Sequence, residues 1–385
     1  MPQHILDTEF FNLTSSLDLP AFWAENDGCL ELTTPLSSAS QASTVRMPRC
    51  AMTFAVDEHW LFEFISVPST VRYYHDKPYR DDLHRQVNAL TLQYVGRAFF
   101  DEDTWQHSPR RIENLFACQF TYTEGSTPWL TPATQDPDEF QRILDQAEAT
   151  NLAKWAFPEP FLNEWEQRKS AGKPLPLLGS GSRGPATVMT SVLPIETAFY
   201  WLYDRSHLMQ RFRDLLTIKM IEWNHILRSF SGNDQPGWWI TDDNSALFNR
   251  RLYHEYCFPV LAAVLQAFAP GEASRYQHSD SSMAHLLDEQ RALGINSVNY
   301  GPEVDAALIR QKLPKALING QMPPFLLCNC GPEEIRQRIR SDFQKAGLTG
   351  NMIVTTAGSL AAGTTLGRMR WMMQCVQEDC RYSYK

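Results

Sequence analysis

The chain has 385 residues, 43% hydrophobic and 12% aromatic, enough to bury a large core as one big α/β unit or two ordinary ones, which excludes disorder. Its formal net charge of −9, with no Lys/Arg run, gives no field that gathers phosphates, so nucleic acid is not an expected partner. The longest apolar run, Cys257–Phe268, reaches about a dozen residues against the roughly 20 needed to cross a bilayer, and the first residues, MPQHILDTEFF, lack an apolar signal core; a cytoplasmic protein with no membrane contact is expected.

About 40 residues at the start, ending in the polar run SSASQAS, read as an N-terminal extension (1–43) outside a main domain (44–385). Strand candidates in the first half are Thr44–Val56, Cys118–Thr123 and Pro185–Thr190; helix candidates are Pro137–Thr150, Pro160–Lys169 and a long Ile195–Phe230 segment. The stretch Gly179–Pro185, GSGSRGP, reads as a loop over an active-site mouth, since apolar runs close in on both sides without the charged padding of a linker. The second half is more regular. Trp238–Thr241 precedes a helix through Leu252–Phe268, Arg275–Ser279 precedes Met283–Leu293 with Gly294 as its terminator, and Asn296–Tyr300 precedes Val304–Leu313. Ala316–Asn319 then precedes a helix opened by Gly331-Pro332-Glu333-Glu334, and Met352–Thr356 precedes Leu366–Asp379. Pro at the first helical position and acids in the first turn suit helix geometry and dipole. Five strand–helix units in succession, with no switch point, point to an α/β (β/α)8 TIM barrel.

Eight irregularly placed cysteines form no disulfide framework, and Cys328-Asn329-Cys330 has no matching pair at zinc-ribbon spacing. No Gly-rich adenosine-binding fingerprint of S-adenosylmethionine or NAD enzymes follows any strand.

The order WWITDDNSALFNRRLYHEYCFP, RYQHSDSSMAHLLDEQRALGINSVNYGPEVD, ALINGQMPPFLLCNCGPEEIRQRIRSDF and NMIVTTAGSL resembles the second half of the uroporphyrinogen decarboxylase superfamily. GSRGPATVMTSVL resembles its earlier Gly-Pro strand, and QFTYTEGSTPWLTPATQDPDEFQRIL the segment before it. The resemblance implies a barrel with its site at the C-terminal strand ends, and an activity among tetrapyrrole decarboxylases or zinc-dependent methyltransferases that pass methyl groups between corrinoids and thiols. Departures accompany the match. Arg46 and Arg49 do not reproduce the decarboxylase arginine motif, and Ser359 stands about where that branch has a His. The methyltransferase zinc site uses a His-x-Cys; here His278 is followed by Asp280, and no Cys lies at Ala357–Gly363.

His278 and Asp280 share one strand face by the period of two. Imidazole and carboxylate at this spacing suit Zn²⁺ or another divalent cation, with Asp242 or Asp243 as third ligand; without metal they form a general acid/base pair. The bland alternative is a His that hydrogen-bonds within its loop. Of the adjacent Asp242 and Asp243 only one can face the site, and Asp243 is expected there, the other capping the following helix. The expected catalytic set is therefore His278, Asp243 and Asp280. Arg183, Tyr300, Glu303, Tyr122, Glu124 and Ser359 are the expected substrate-binding residues, against the simpler readings of a solvated Arg and a capping Glu. The leading expectation is methyl transfer without S-adenosylmethionine on a small heterocyclic substrate, with a corrinoid or corrinoid protein as the partner the resemblance implies. The alternatives are cofactor-free decarboxylation, with Arg183 holding the carboxylate, and a non-catalytic corrinoid- or tetrapyrrole-binding barrel. The oligomeric state is open, a homodimer being compatible with the resemblance.

Overall fold

The computed structural model, which describes residues 6–33 and 47–383, has nine strands, some of them runs of β-branched and aromatic residues such as Trp238–Thr241 between Gly237 and Asp242. They are β1 (Ala51–Met52), β2 (Gln119–Thr121), β3 (Trp129–Thr131), β4 (Gly181–Arg183), β5 (Trp238–Thr241), β6 (Arg275–Ser279), β7 (Ser297–Tyr300), β8 (Leu317–Met322) and β9 (Met352–Thr356). Seven pair in parallel in the order β1-β9-β8-β7-β6-β5-β4. Pairing of the first strand with the last, Ala51 beside Ile353 and Met52 beside Val354, winds the sheet around on itself as a TIM barrel requires and an open sheet does not.

The eighth position, between β1 and β4, carries no ladder among the described residues. β2 and β3 pair only with each other, antiparallel. On β1 the reason is local. The Asn26 side chain accepts from the Met52 N–H (2.9 Å) and donates to the Met52 carbonyl (3.0 Å), so one amide takes the backbone groups that a neighbouring strand would use. Asn26 lies on the helix Leu19–Thr33, against which the fully buried Arg49 binds Glu25 at 2.6 Å and the Phe22 carbonyl at 3.2 Å. Phe10, Phe22 and Trp23 thereby join the same core as the barrel.

β5, β6 and β9 have the bounds read from the sequence. Of the expected strand Thr44–Val56 only Ala51–Met52 forms a ladder among the described residues, Arg49 adding an isolated antiparallel bridge to Arg381, and residues 44–46, including Arg46, with the SSASQAS run, lie outside the described residues. Pro185–Thr190, expected as a strand, is the helix Pro185–Val192. It is buried nearly all round, so its apolar run has no helical period to reveal it. The strand there is β4, within the stretch expected as a loop. The long segment from Ile195 is two helices, Ile195–Asp204 and Ser206–Ser231. The bend at Arg205 sets Phe199 against Phe248 and Trp201 against Phe140.

Neighbouring parallel strands keep in-register residues on one face. Gly181, Trp239, Tyr276 and Ser297 form one row, and Arg183, Thr241, His278 and Asn299 the next toward the C-terminal ends. Trp238, Ile240, Val298 and Ile318 alternate with these, buried among the outer helices.

Candidate active site

His278 ends its strand in the inner row, followed by Asp280 where the chain leaves β6. The imidazole Nε2 lies 3.3 Å from Asp280 Oδ1, the imidazole mostly covered and the carboxylate 62% exposed. Asp243 opens the short turn after β5 and accepts the Asp280 backbone N–H through Oδ1 at 2.8 Å. One ligand atom from each of Asp243, His278 and Asp280 lies within 4.8 Å of the others.

The other side of the imidazole is held by a residue the sequence reading did not single out. Asn299 donates its two amide hydrogens to the carbonyls of Asn319 (2.5 Å) and Thr356 (3.0 Å). Its oxygen accepts from the Gly358 N–H at 3.1 Å and faces His278 Nδ1 at 2.9 Å. With Asn299 Oδ1 fixed as an acceptor, Nδ1 carries a proton and Nε2 is the atom offered to Asp280. Burial alone would depress the His278 pKa, but the hydrogen bond and charge of Asp280, with the charge of Asp243, outweigh it, and the pKa is raised from its ordinary value. Gly358 completes the arrangement. Its φ is +90°, and a Cβ there would sit 2.5 Å from Asp280 Oδ1, so the glycine gives the carboxylate its room.

His278, Asn299 and Gly358 line a cavity of about 410 Å³ together with Phe54, Tyr276, Asn319, Thr355 and Ser359, among others; Asp243 and Asp280 are not part of its lining. A larger cavity of about 680 Å³ lies elsewhere, beside Lys77, Asp103, Glu164, Arg168 and Lys173. There Asp103 is shared by Lys77, Arg168 and Lys173, so the charges satisfy one another.

The model of the uroporphyrinogen decarboxylase (URO-D) family matches residues 88–379. The chain belongs to this family. A comparison with curated proteins returned no match. Among solved structures, a methyltransferase from Methanosarcina mazei is similar over 86% of this chain and 93% of that one, at 13% identity and a TM-score of 0.54, a likeness of fold. Cys328 donates to the Ala362 carbonyl at 3.4 Å, and neither it nor Cys330 lines the cavity.

The remaining expected residues spread apart. Ser359 lines the His278 cavity. Arg183 is in the same register row as His278 but lines a different cavity, with its Nε 3.6 Å from Glu113. Tyr300 is turned the other way. Asn299 takes the inner face, so Tyr300 is fully buried outside it, among the core residues, with no partner for its hydroxyl. Glu303 is exposed on the turn after β7, without a hydrogen bond or ion pair among the described residues. Tyr122 packs on His75 at 4.4 Å, and Glu124 accepts the Val71 N–H at 3.2 Å, so both serve the β2–β3 hairpin. Asp242 caps the helix Pro185–Val192 through Thr187 N–H (2.8 Å) rather than the segment that follows it. Complete burial pushes its carboxyl up to about 7.

Proposed function

We propose that this URO-D family protein is a divalent-metal-dependent methyltransferase that works without S-adenosylmethionine on a small heterocyclic substrate. The observation that carries the reading is the convergence of Asp243, His278 and Asp280 within 4.8 Å, with the imidazole turned so that Nε2 faces the two acids. One imidazole nitrogen and two carboxylates suit Zn²⁺ or another borderline or hard divalent cation, and not a thiolate-selected one. When bound, such a cation supplies Lewis acidity toward the methyl donor or acceptor.

The chain's own groups then have separate tasks. Asn299 holds the imidazole ring and its tautomer, as partners of ligating histidines do. The Asp280 N–H pins Asp243. Transfer of a methyl cation leaves the acceptor with a proton to lose, and the exposed Asp280 oxygen that is not the ligand atom is a base within reach. A corrinoid, free or on a partner protein, is the methyl carrier this reading supposes.

The test is metal content of the purified wild type beside His278→Ala, Asp280→Ala and Asp243→Ala, followed by loss of methylcobalamin absorbance with thiol and heterocyclic acceptors. The wild type is expected to hold about one equivalent of metal after incubation with Zn²⁺, and the His278 variant to lose it together with turnover. Failure of the wild type to retain any metal would remove the metal role. Unchanged turnover of a genuine substrate in both His278→Ala and Asp243→Ala would remove the catalytic assignment.

A further inference from the structure

We propose that a second cavity, on the β4 side of the His278 site, anchors an anionic group of a flat aromatic substrate through Arg111 and Arg183, with Trp239 as its planar wall. The proposal rests on the reading of the strand ends as a reaction site and adds the class of substrate.

The cavity, about 300 Å³, is lined by Arg111, Glu113, Leu178, Arg183, Trp223 and Trp239, among others. Two guanidinium groups share it with one carboxylate. Glu113 is buried and meets Arg183 at 3.6 Å, and Arg183 Nη1 reaches only Ser191 Oγ, at 3.4 Å. The Arg111 guanidinium lies over the Phe120 ring at 4.8 Å on an exposed residue; it forms no ion pair among the described residues, and the carboxylate whose charge it feels is Glu113, already met by Arg183. The two guanidinium groups thus exceed the single carboxylate by one charge, in a cavity whose other walls are the two indoles, aliphatic side chains and the small polar residues Ser108 and Ser182. An anion entering there gains charge-assisted hydrogen bonds that Arg can offer two at a time.

The walls specify the rest of the ligand. Trp239 is 44% exposed and its indole lies across β4, where a Cβ on Gly181 would come within 2.1 Å of the ring. Gly181 is what lets the indole lie flat there. Trp223 donates its N–H to the Arg110 carbonyl at 3.1 Å, leaving its ring faces for apolar contact. Flat rings stack on such surfaces.

Position separates this anchor from the reacting group. Arg183 and His278 are two strands apart in one row, with Thr241 between them, which is about 10 Å at the usual strand spacing. In the row beneath, Trp239 faces the second cavity and its register partner Tyr276 the first. The Arg183 guanidinium is drawn toward Glu113 and Ser191 rather than His278. An anion held there is therefore remote from the bond that changes at His278, a handle for orientation and not a leaving carboxylate.

The test is calorimetric titration of the full chain with 2-naphthoate and with 2-naphthamide, its neutral analogue, using wild type, Arg111→Gln, Arg183→Gln, Gly181→Ala and His278→Ala. Circular dichroism and melting of each variant report folding. The acid is expected to bind the wild type about tenfold or more tighter than the amide, and to lose about tenfold in each Arg variant while the amide does not. Gly181→Ala is expected to weaken acid and amide alike, because it displaces the indole. His278→Ala is expected to bind the acid as the wild type does, so the anchor can survive even if the metal and catalytic assignments fail. Equal binding of acid and amide, acid affinity unchanged in both Arg variants, a loss confined to His278→Ala, or no binding of the acid up to millimolar concentration would each overturn the proposal.

Discussion

Asn299 and His278 face each other across β7 and β6 at 2.9 Å, and because both Asn299 amide hydrogens are bound to carbonyls, the imidazole receives an oxygen there. The orientation of the candidate ligand atom, Nε2, thus depends on a neutral residue one strand away.

Replacing that amide tests the dependence. Asn299→Leu keeps the volume but frees the tautomer and leaves the Gly358 N–H and the Thr356 carbonyl without their partner. Metal affinity is expected to fall by about 10- to 100-fold and stability by about 1–3 kcal/mol. Zn²⁺ titration and urea unfolding read the two effects, and a variant that binds metal like the wild type would remove Asn299 from the site.

Gly358→Ala places a Cβ against Asp280 at a positive φ of +90°. A loss of about 1–3 kcal/mol in unfolding free energy is expected from the backbone alone. Adding Asp280→Ala should return only the part due to the clash. If the double variant were as stable as Asp280→Ala alone, the backbone strain would be absent.

Asp242 gives a pH dependence of defined sign. Its folded pKa, about 7, lies above the ordinary carboxylate value because of burial, with the Asp243 charge adding to it. Between about pH 4 and about pH 7 the unfolded chain has released a proton that the folded chain keeps, so this group lowers stability as pH rises through that window, by at most about 1.4 kcal/mol per unit, and adds nothing further above it. Asp242→Asn retains an acceptor for Thr187 and lacks the titration. The gap between variant and wild type in urea unfolding should therefore change across the window; parallel profiles would contradict the assignment.

Tyr300→Phe removes a buried hydroxyl that has no hydrogen-bond partner among the described residues. Stability is expected to stay within about 1 kcal/mol of the wild type or to rise, with turnover unchanged. A large loss of activity with intact folding would restore the substrate-binding role expected from its position after a strand.

Much of the barrel was legible because its second half obeys local rules. β-branched runs end at helix-opening prolines and acids, so β5, β6 and β9 were bounded correctly. The first half obeyed them less. The helix from Pro185 is buried nearly all round, and β4 is a three-residue strand of Gly, Ser and Arg. Its glycine reads as a loop until the Trp239 indole is laid across it. The chemistry of the site was legible in the same uneven way. His278 and Asp280 were paired by the period of two; alternation left room for only one of Asp242 and Asp243, and Asp243 was expected by its position at the strand's end. Asn299 stood in plain view beside Tyr300, and Ser297-Val298-Asn299-Tyr300 alternates polar with apolar residues, but all four are buried, so the alternation alone carries no mark of which set faces the barrel interior. The register with His278 supplies that mark.

By itself the sequence determined the parallel α/β winding and the pairing of His278 with Asp280, because these depend on hydrophobic period, capping residues and spacing within about ten residues of chain, while the family was carried by the resemblance of its motifs in order. The tertiary structure alone decided which face of each strand looks inward, and that Asn26 takes the backbone groups of β1. It also placed Asn299 and Gly358 around His278 and Asp280, and set Arg183 beside Glu113 and Arg111 instead of the imidazole. Those relations join residues about 20 to 80 apart in the chain. They follow from strand register and from competition for buried hydrogen bonds and charge, which only the assembled barrel brings to bear.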